Sequence, residues 1–349
     1  MSSFIRMRAH IRIRVSMSAR TMCYIKLGVI FMAKYIVKRI LLMLLTMFII
    51  MTVCFVLVRC LPYSFAHTPG SDDYYIELAR REALGYNKPI FIQYLIFLKQ
   101  VFTKFDWGIS FKIKFATPVT ELVFEKLPPT IIVNVYTMLF SVPIGIFFGV
   151  YSALKKNKWQ DHVIGIFTMA FISVPSYVFA FLIQYLFAYK LGWFDLQMSY
   201  GTDYLSLSML KSLVLPILAM SFGTIAGFTR YIRDELSEVL TSEFMLLART
   251  KGLTRRQATV RHAFRNALVP ILPMFIGEFI GILGGSMIIE NIFGIPGVGK
   301  IYLQAIQARD YDVFLFVSMF YVVIGLVAGI VVDISYGFVD PRIRIGGKK

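Results

Sequence analysis

Charged residues are scarce in this chain, and cysteines are scarcer still. Only 16% of its 349 residues are charged, whereas 57% are hydrophobic. A soluble domain carries about 25% charged residues, so this composition excludes an ordinary water-soluble domain and also a disordered one. The three cysteines form no C-x-x-C pair and the four histidines are scattered. The sequence therefore offers neither a disulfide framework nor a metal-binding motif.

Acidic residues are also few, since 20 Asp and Glu stand against 37 Lys and Arg, for a net charge of +17. A strongly basic chain can bind nucleic acid. Here, however, the basic residues flank long apolar runs, which is typical of a protein oriented in a lipid bilayer. We therefore expect the lipid bilayer as a partner, and no nucleic acid.

Six long runs of the sequence are almost free of charge. About 20 apolar residues are needed to cross a hydrocarbon core of about 30 Å as a helix. Backbone polar groups cannot bond to lipid, so each run should be helical. The sequence thus predicts an all-α integral membrane protein with six transmembrane helices. Their approximate ranges are 40–58, 131–154, 163–189, 213–229, 268–289 and 313–334.

The distribution of Lys and Arg sets the orientation of these spans. The segments 1–39, 155–162, 230–267 and 335–349 together hold 24 of the basic residues, and the segments on the opposite side hold 13. Because short loops rich in Lys and Arg are retained inside, both termini should be cytoplasmic. We expect a multi-pass protein of the cytoplasmic membrane.

A basic tail precedes the first span. Residues 1–31 carry six Lys and Arg and no acid, and the text from Met32 onwards looks like a natural start. Two interpretations stay open: an upstream extension of the true start, or a tail that binds anionic lipid. The rest divides into a first transmembrane helix at 32–60, an extracytoplasmic loop with short helices at 61–130, and a core of five transmembrane helices at 131–345 that includes the cytoplasmic loop 231–268.

Within this cytoplasmic loop, the pattern predicts two short amphipathic helices joined by a glycine turn. Gly252 follows Lys251, which is typical of a helix C-terminus with a left-handed residue after it. Residues 254–257 (TRRQ) form a capping-box pattern that opens a second helix. Two alternatives stay open: a hairpin folded back on its own bundle, or a surface for a cytosolic partner. The apolar stripe of the first helix consists of Leu236, Val239, Leu240, Phe244 and Leu247.

Two runs in this loop carry a family resemblance. The runs ARTKGL at 248–253 and RHAFRNALVP at 261–270 resemble the EAA loop of ABC importer permeases, in the oligopeptide and dipeptide branch. The resemblance extends over essentially everything from Met32 onwards and fits the first-permease subunit of that branch. Leu246 departs from the pattern, because the EAA loop opens with an acidic residue there. Other matching stretches are KYIVKRILLM near the first span, LGYNKP at 84–89, LGW at 191–193, IPGVG at 295–299 and DPRIR at 340–344.

The resemblance implies the transmembrane domain of a type I ABC importer, which moves oligopeptides or dipeptides inward across the cytoplasmic membrane. It also implies a second permease subunit, two ATPase subunits and an extracytoplasmic substrate-binding protein as partners. ATP would be bound by the ATPase subunits, so we expect no enzyme activity, cofactor or metal site in this chain. One alternative is a nickel or metal-chelate importer of the same branch. A stand-alone secondary transporter or a membrane-anchored scaffold is less favoured.

The resemblance also assigns candidate residues. The loop would seat its short helix in a cleft of an ATPase subunit, and a larger side chain at Ala248 should prevent that seating. Independently of the resemblance, Glu278 lies inside the fifth span, and two interpretations stay open: a role in the transport pathway or its gate, or a hydrogen bond to a neighbouring helix. The run 294–301 nearly reads as a P-loop, but Ile301 lacks the required hydroxyl, so we interpret it as a loop between spans. The candidate coupling residues are Glu243, Leu247, Ala248, Arg249, Lys251, Gly252, Leu253, His262 and Pro270.

Overall fold

The structure of the protein is a computed structural model. It describes residues 36–62, 65–199, 201, 203–259, 263–264, 267 and 271–339. Among the features singled out from the sequence, the basic tail 1–31, the start at Met32, His262 and Pro270 lie outside the described residues.

The described chain is mostly helical. A short antiparallel strand pair, β1 (Ile109–Ser110) and β2 (Thr117–Pro118), lies between the third and fourth helices. A π-helical turn (Gln184–Lys190) extends α7, and a 3-10 turn (Ile282–Gly284) extends α11. The helices are α1 (Ile36–Cys60), α2 (Asp72–Ala83), α3 (Ile90–Lys104), α4 (Val119–Phe124), α5 (Leu127–Leu154), α6 (Trp159–Ser173), α7 (Ser176–Ile183), α8 (Leu207–Thr241), α9 (Glu243–Thr250), α10 (Arg255–Ala258), α11 (Leu272–Gly281), α12 (Met287–Ile292), α13 (Val298–Ala308) and α14 (Tyr311–Val339).

The prediction of an all-α membrane fold is confirmed. Within the described residues, four helical segments are long and apolar enough to cross a membrane: α1, α8, the joined α4 and α5 (Val119–Leu154), and most of α14 (Tyr311–Ser335). The bent pair of α6 and α7 makes up to a fifth span, and α11 with its 3-10 turn is a shorter apolar helix (Leu272–Gly284). The count of six spans and the cytoplasmic position of both termini stay predictions.

Two of the predicted runs differ from the helices that contain them. The third run, 163–189, is broken in two, and its halves meet at an angle of 98°. Pro175 is the cause, because proline disfavours helical backbone in the preceding residue, and Val174 has φ −94° and ψ 125°. The fourth run, 213–229, is only the middle of α8, which continues to Thr241.

Small residues let α5 and α8 approach closely at the centre of the fold. A Cβ added at Gly145 would lie 2.7 Å from Phe228 Cβ, and one at Gly149 would lie 2.8 Å from Ile232 Cβ. Thr229 Oγ1 also donates to Gly145 O at 3.3 Å. Close backbone approach is a usual basis for association between apolar helices, because lipid supplies no hydrophobic drive for it.

An ion pair fixes α6 to α8 at the end of the molecule predicted to be cytoplasmic. Arg233 Nε donates to Asp161 Oδ1 at 2.6 Å, and Arg233 Nη2 donates to Oδ2 at 2.8 Å. Ser152 Oγ on α5 and the N–H of Asn157 donate to the same carboxylate. Because Asp161 is only 3% exposed, loss of Arg233 would leave a buried charge unpaired. The Asp161 carboxylate therefore joins three helices, through the bidentate contact with α8 and the Ser152 hydrogen bond from α5.

The segment between the first two spans forms a layer at the other end of α5. Its helix α3 packs against α1 and α14 through a cluster that includes Phe55, Phe97 and Leu315. Ser110 Oγ donates to Asp310 Oδ2 at 2.7 Å, which joins the strand pair to the start of α14. This layer thus holds α1 and α14 together.

Candidate functional site

The predicted coupling loop begins at the end of α8. Ser242 has an extended backbone, with φ −71° and ψ 153°, and it ends α8 and starts α9. Ser242 Oγ donates to Val239 O at 2.6 Å, which satisfies one carbonyl of the last turn. The first predicted helix is therefore divided between α8 and α9. The break also turns Leu247 outwards, away from the stripe that begins at the buried Leu236.

A glycine turn ends α9, as the sequence predicts. Gly252 has φ +88°, in the left-handed region. Its N–H donates to Arg249 O at 3.0 Å, and the N–H of Leu253 donates to Ala248 O at 3.4 Å. These two bonds form a Schellman motif. Outside the neighbouring positions, no described heavy atom lies within 4 Å of the place that a Cβ would take, so the backbone alone requires glycine here.

The second helix of the loop starts with the predicted capping box. The N–H of Thr254 donates to Gln257 Oε1 at 3.1 Å, and the N–H of Gln257 donates to Thr254 Oγ1 at 3.3 Å. The reciprocal bonds satisfy two N–H groups that helix geometry leaves without a partner. The prediction of two helices joined by a glycine turn is thus confirmed as far as Ala258.

One side of the loop packs against its own bundle. Met245 and Ala248 of α9 are buried with Leu236 of α8 and Ala153 of α5. Ala248 therefore faces the core of this chain, and the effect of a larger side chain there on seating in an ATPase cleft stays a prediction. A larger side chain there would first disturb the chain's own packing. The same cluster is completed by Ala258, Ala263 and Ala267.

The other side of α9 is apolar and exposed. Leu246 is 64% exposed and Leu247 is 53% exposed, and we name these two residues the leucine face. Their neighbours Glu243, Arg249 and Lys251 are exposed as well, so charges of both signs surround the apolar surface. The loop thus folds back on its own bundle with one side and presents an apolar surface with the other.

Glu278 lines a cavity of about 130 Å³ between α5, α8 and α11. Thr224 Oγ1 donates to Glu278 Oε1 at 2.8 Å, which joins α8 to α11. The acid singled out from the sequence therefore faces a cavity with polar groups, an arrangement typical of functional acids within membrane segments. The other lining residues are Asn134, Thr137, Met138, Met220, Gly281 and Ile282.

Glu290 on α12 is a buried acid that the sequence analysis does not single out. It is 2% exposed. Thr130 Oγ1 donates to its Oε1 at 2.9 Å, and the N–H of Lys300 donates to its Oε2 at 3.0 Å. Burial raises the pKa of the Glu290 carboxyl, although these hydrogen bonds oppose the rise. The carboxyl thereby joins α5, α12 and α13.

The glycine-rich run 294–299 wraps around this carboxyl. A Cβ at Gly297 or Gly299 would overlap Glu290 Oε2, so a side chain has no room at either position. We name Thr130, Glu290, Gly297 and Gly299 the glycine cradle. Glu290 fills the N-terminus of α13, the place where a P-loop would hold phosphate. Two glycines spaced by one residue, close to an acid, are the signal in the sequence that points to this cradle.

Comparisons with known proteins match nearly the whole chain. Residues 145–345 match the family described as binding-protein-dependent transport system inner membrane component, and residues 32–134 match its N-terminal region. The dipeptide transport system permease protein of Lactococcus lactis subsp. cremoris is 34% identical, over 90% of this chain and 100% of the relative. The oligopeptide transport system permease proteins of Salmonella typhimurium and of Escherichia coli K12 are each 35% identical, with the same coverage.

These matches agree with the apolar helices and with the loop that follows α8. They span each relative from end to end. Together with the helices long enough to cross a bilayer, they identify a multi-pass protein of the cytoplasmic membrane. The resemblance carried by the loop sequence is thereby confirmed, and the chain belongs to the family of binding-protein-dependent transport system inner membrane components, the permease subunits of ABC importers.

Proposed function

We propose that this chain is one of two permease subunits of an importer that moves oligopeptides or dipeptides inward, driven by two partner ATPase subunits. The proposal is supported by relatives named for dipeptide or oligopeptide transport. An extracytoplasmic binding protein would deliver the peptide at the end that carries the glycine cradle. Relatives of both names match at nearly the same identity, so the proposal concerns peptides as a class.

Hydrolysis of ATP is assigned to the partner subunits. The stretch of this chain most like a P-loop, 294–301, has its helix N-terminus filled by the Glu290 carboxyl. A phosphate group there would compete with the Glu290 carboxyl, which already accepts hydrogen bonds from N–H groups of the first helical turn. This arrangement supports a translocation subunit without its own ATPase site.

The leucine face is the observation that carries the proposed contact with an ATPase subunit. Lipid can cover exposed leucines within the spans, but α9 follows the ion pair of Asp161 and Arg233 at the end of the bundle. A helix that docks in a groove presents an apolar side of this kind. An ATPase groove would cover Leu246 and Leu247 and meet the charges beside them.

The buried side of α9 provides a route from that contact to the cavity. Met245 and Ala248 pack against α8 and α5. From Thr241, α8 runs back without a break to Thr224, whose hydroxyl bonds to Glu278. At a rise of 1.5 Å per residue this stretch is about 25 Å long. We propose that closure of the ATPase subunits moves α9, tilts α8 and so changes the cavity.

Two other transport functions are less favoured. A nickel or metal-chelate importer would use the same architecture, but the full-length relatives described above carry peptide names. A stand-alone secondary transporter would need no ATPase, whereas this family works with binding proteins. Uptake into vesicles separates these functions, because the proposed importer requires ATP and its partner subunits, and a secondary transporter requires only an ion gradient.

The coupling proposal is tested by placing an acid in the leucine face. Leu247→Asp should leave the chain in the membrane, because the side chain is exposed. It should weaken co-purification of the ATPase subunits by about tenfold, since docking would desolvate an unpaired charge. The matched control is Leu205→Asp, a leucine that is 77% exposed before α8 and should tolerate the change. Unchanged co-purification of the Leu247 variant would refute this contact.

A further inference from the structure

The cavity beside Glu278 contains an acid but no basic residue among the residues that line it. Thr224 Oγ1 donates to the carboxylate at 2.8 Å, and Glu278 remains half-buried rather than enclosed. Acids within membrane segments usually pair with a cation or lie on a path for one. The Glu278 carboxylate therefore has no cationic partner among the lining residues, and a cation that enters the cavity could supply one.

The other polar atoms around the cavity are mostly acceptors. Asn134 Nδ2 donates to Thr130 O at 2.7 Å, and Thr137 Oγ1 donates to Val133 O at 2.8 Å, so the hydroxyl proton and one of the two amide N–H groups bond to the backbone of α5. The Asn134 amide oxygen and the Thr137 hydroxyl lone pairs remain as acceptors, and Met220 adds a thioether sulfur. A cation with several N–H donors therefore fits these acceptors better than an anion does, and better than a neutral group with few donors.

The size of the cavity and its ligands select among cations. A volume of about 130 Å³ holds a few water molecules or one small ionic group. A metal ion would need several anionic or imidazole ligands, and the described residues hold no group of three or more His, Cys, Asp or Glu placed to bind one. A primary ammonium carries one charge and three N–H donors, which matches one carboxylate among neutral acceptors.

The backbone next to the cavity is interrupted. Helix α11 ends at Gly281, passes into the 3-10 turn, and reaches Gly285 with φ +59°. Irregular backbone at membrane depth is tolerated where it lines a water-filled cavity, and interrupted helices often mark binding sites for transported solutes. This geometry places Glu278 one helical turn from the interruption, and Gly281 and Ile282 at the interruption line the same cavity.

Resting on the proposed peptide function, we propose that Glu278 contacts the α-ammonium group of the peptide during its passage, and that Thr224 holds the carboxylate for it. A single carboxylate attracts the cation without trapping it, as passage requires. A peptide with a blocked amino terminus would lack this contact. The permease itself would therefore favour peptides with a free amino terminus, in addition to any preference of the binding protein.

The test uses the complete transporter in proteoliposomes, with ATP and loaded binding protein. The probes are tri-alanine and N-acetyl-tri-alanine, each at a concentration that saturates the binding protein. Each rate is divided by the wild-type rate for the same peptide, which cancels the preference of the binding protein. Glu278→Gln should lower the tri-alanine rate about tenfold and change the acetylated rate by less than about twofold. The matched control, Glu121→Gln on α4, removes an exposed carboxylate and should change neither rate.

Equal slowing of both peptides by Glu278→Gln would overturn the proposal in favour of a general gate, and slowing of neither would remove Glu278 from the path. If the binding protein rejects the acetylated peptide, Glu278→Asp decides, because retained charge should restore most of the tri-alanine rate. A loss of rate equal to that of Glu278→Gln would then overturn the proposal.

If Glu278→Gln does not assemble, Met138→Lys should slow tri-alanine selectively by pairing with the carboxylate. Failure of the wild type to move tri-alanine with ATP would instead defeat the proposed peptide function.

Discussion

Two glycine turns stand in different parts of the molecule, and they require glycine for different reasons. At Gly252 the left-handed backbone is the reason, because no described heavy atom crowds the place of a Cβ. At Gly297 the backbone is extended, with φ −97° and ψ −178°. There the reason is crowding, since Glu290 and Thr130 leave no room for a side chain. We call the turn at Gly252 the open turn, because a Cβ has room there, and the turn at Gly297 the closed turn, because a Cβ has none.

The same contrast holds for the surroundings of the two turns. In the glycine cradle, a buried carboxyl accepts the N–H bonds at the start of α13, so the polar groups are satisfied within the chain. In the loop predicted to be cytoplasmic, Leu246 and Leu247 remain exposed. We infer that the cradle is complete by itself and supports the fold, whereas the loop is completed by a partner. Substitutions should therefore act on stability at the first site and on assembly at the second.

The comparison first requires that the two turns lie on opposite sides of the membrane. In a chain whose three cysteines are replaced by serine, Lys156→Cys should resist an impermeant thiol reagent in intact cells, and Asp203→Cys should react. Both positions are exposed, so the membrane alone decides the all-or-none outcome. Lysis before labelling is the control and should make both positions react. Reaction at 156 but not at 203 in intact cells would reverse the orientation.

The largest effect on stability is expected in the glycine cradle. Gly297→Ala would push Glu290 away from Thr130 and from the N–H of Lys300, leaving buried polar groups unpaired. The expected loss is about 3 kcal/mol, from overpacking and lost hydrogen bonds. The measurement is thermal unfolding of the purified chain in detergent. Gly252→Ala is the matched control, with about 1 kcal/mol of backbone strain. Equal losses would break the distinction between closed and open turns.

These two turns also show which features a sequence can predict. Gly252 and the capping box at Thr254 depend on residues a few positions away, so their local pattern predicts them, and the structure confirms both. The cradle joins Thr130 to Glu290, which are 160 positions apart. The spacing of apolar residues along the sequence gives no information about a contact between positions so far apart. The same holds for Ala248, whose burial depends on packing against other helices.

The membrane spans also have some features that the local sequence predicts and others that depend on contacts with distant residues. Apolar length predicts that helices cross the membrane, because lipid leaves the backbone no other partner. It does not predict that α8 continues without a break past its apolar run, nor that Arg233 in this part of α8 meets Asp161 on another helix. The break at Pro175 is different, because its signal is local and the length of the apolar run masks it.

At the open turn, a substitution of Gly252 should act through backbone strain and not through crowding of the new side chain. Gly252→Val costs about 1–3 kcal/mol in the left-handed region, which α9 can relieve by changing its direction. We expect normal membrane insertion, but a several-fold loss of the ATPase stimulation caused by loaded binding protein. Gly252→Asn is the matched variant, because asparagine tolerates this backbone conformation, and it should keep most of the stimulation. Wild-type stimulation in the valine variant would mean that the direction of α9 does not matter.

The smallest expected effect is the pH dependence of the closed turn. Burial raises the pKa of the Glu290 carboxyl, so the folded chain holds this proton more tightly than the unfolded chain. The resulting stabilisation is fully present below the unfolded pKa and is lost as the pH rises through the raised folded pKa. Relative to Glu290→Gln, a neutral side chain of the same shape, the wild type should gain thermal stability as the buffer moves from neutral to mildly acidic. A gain in the opposite direction would mean that the N–H of Lys300 and the hydroxyl of Thr130 outweigh burial and hold the carboxylate charged.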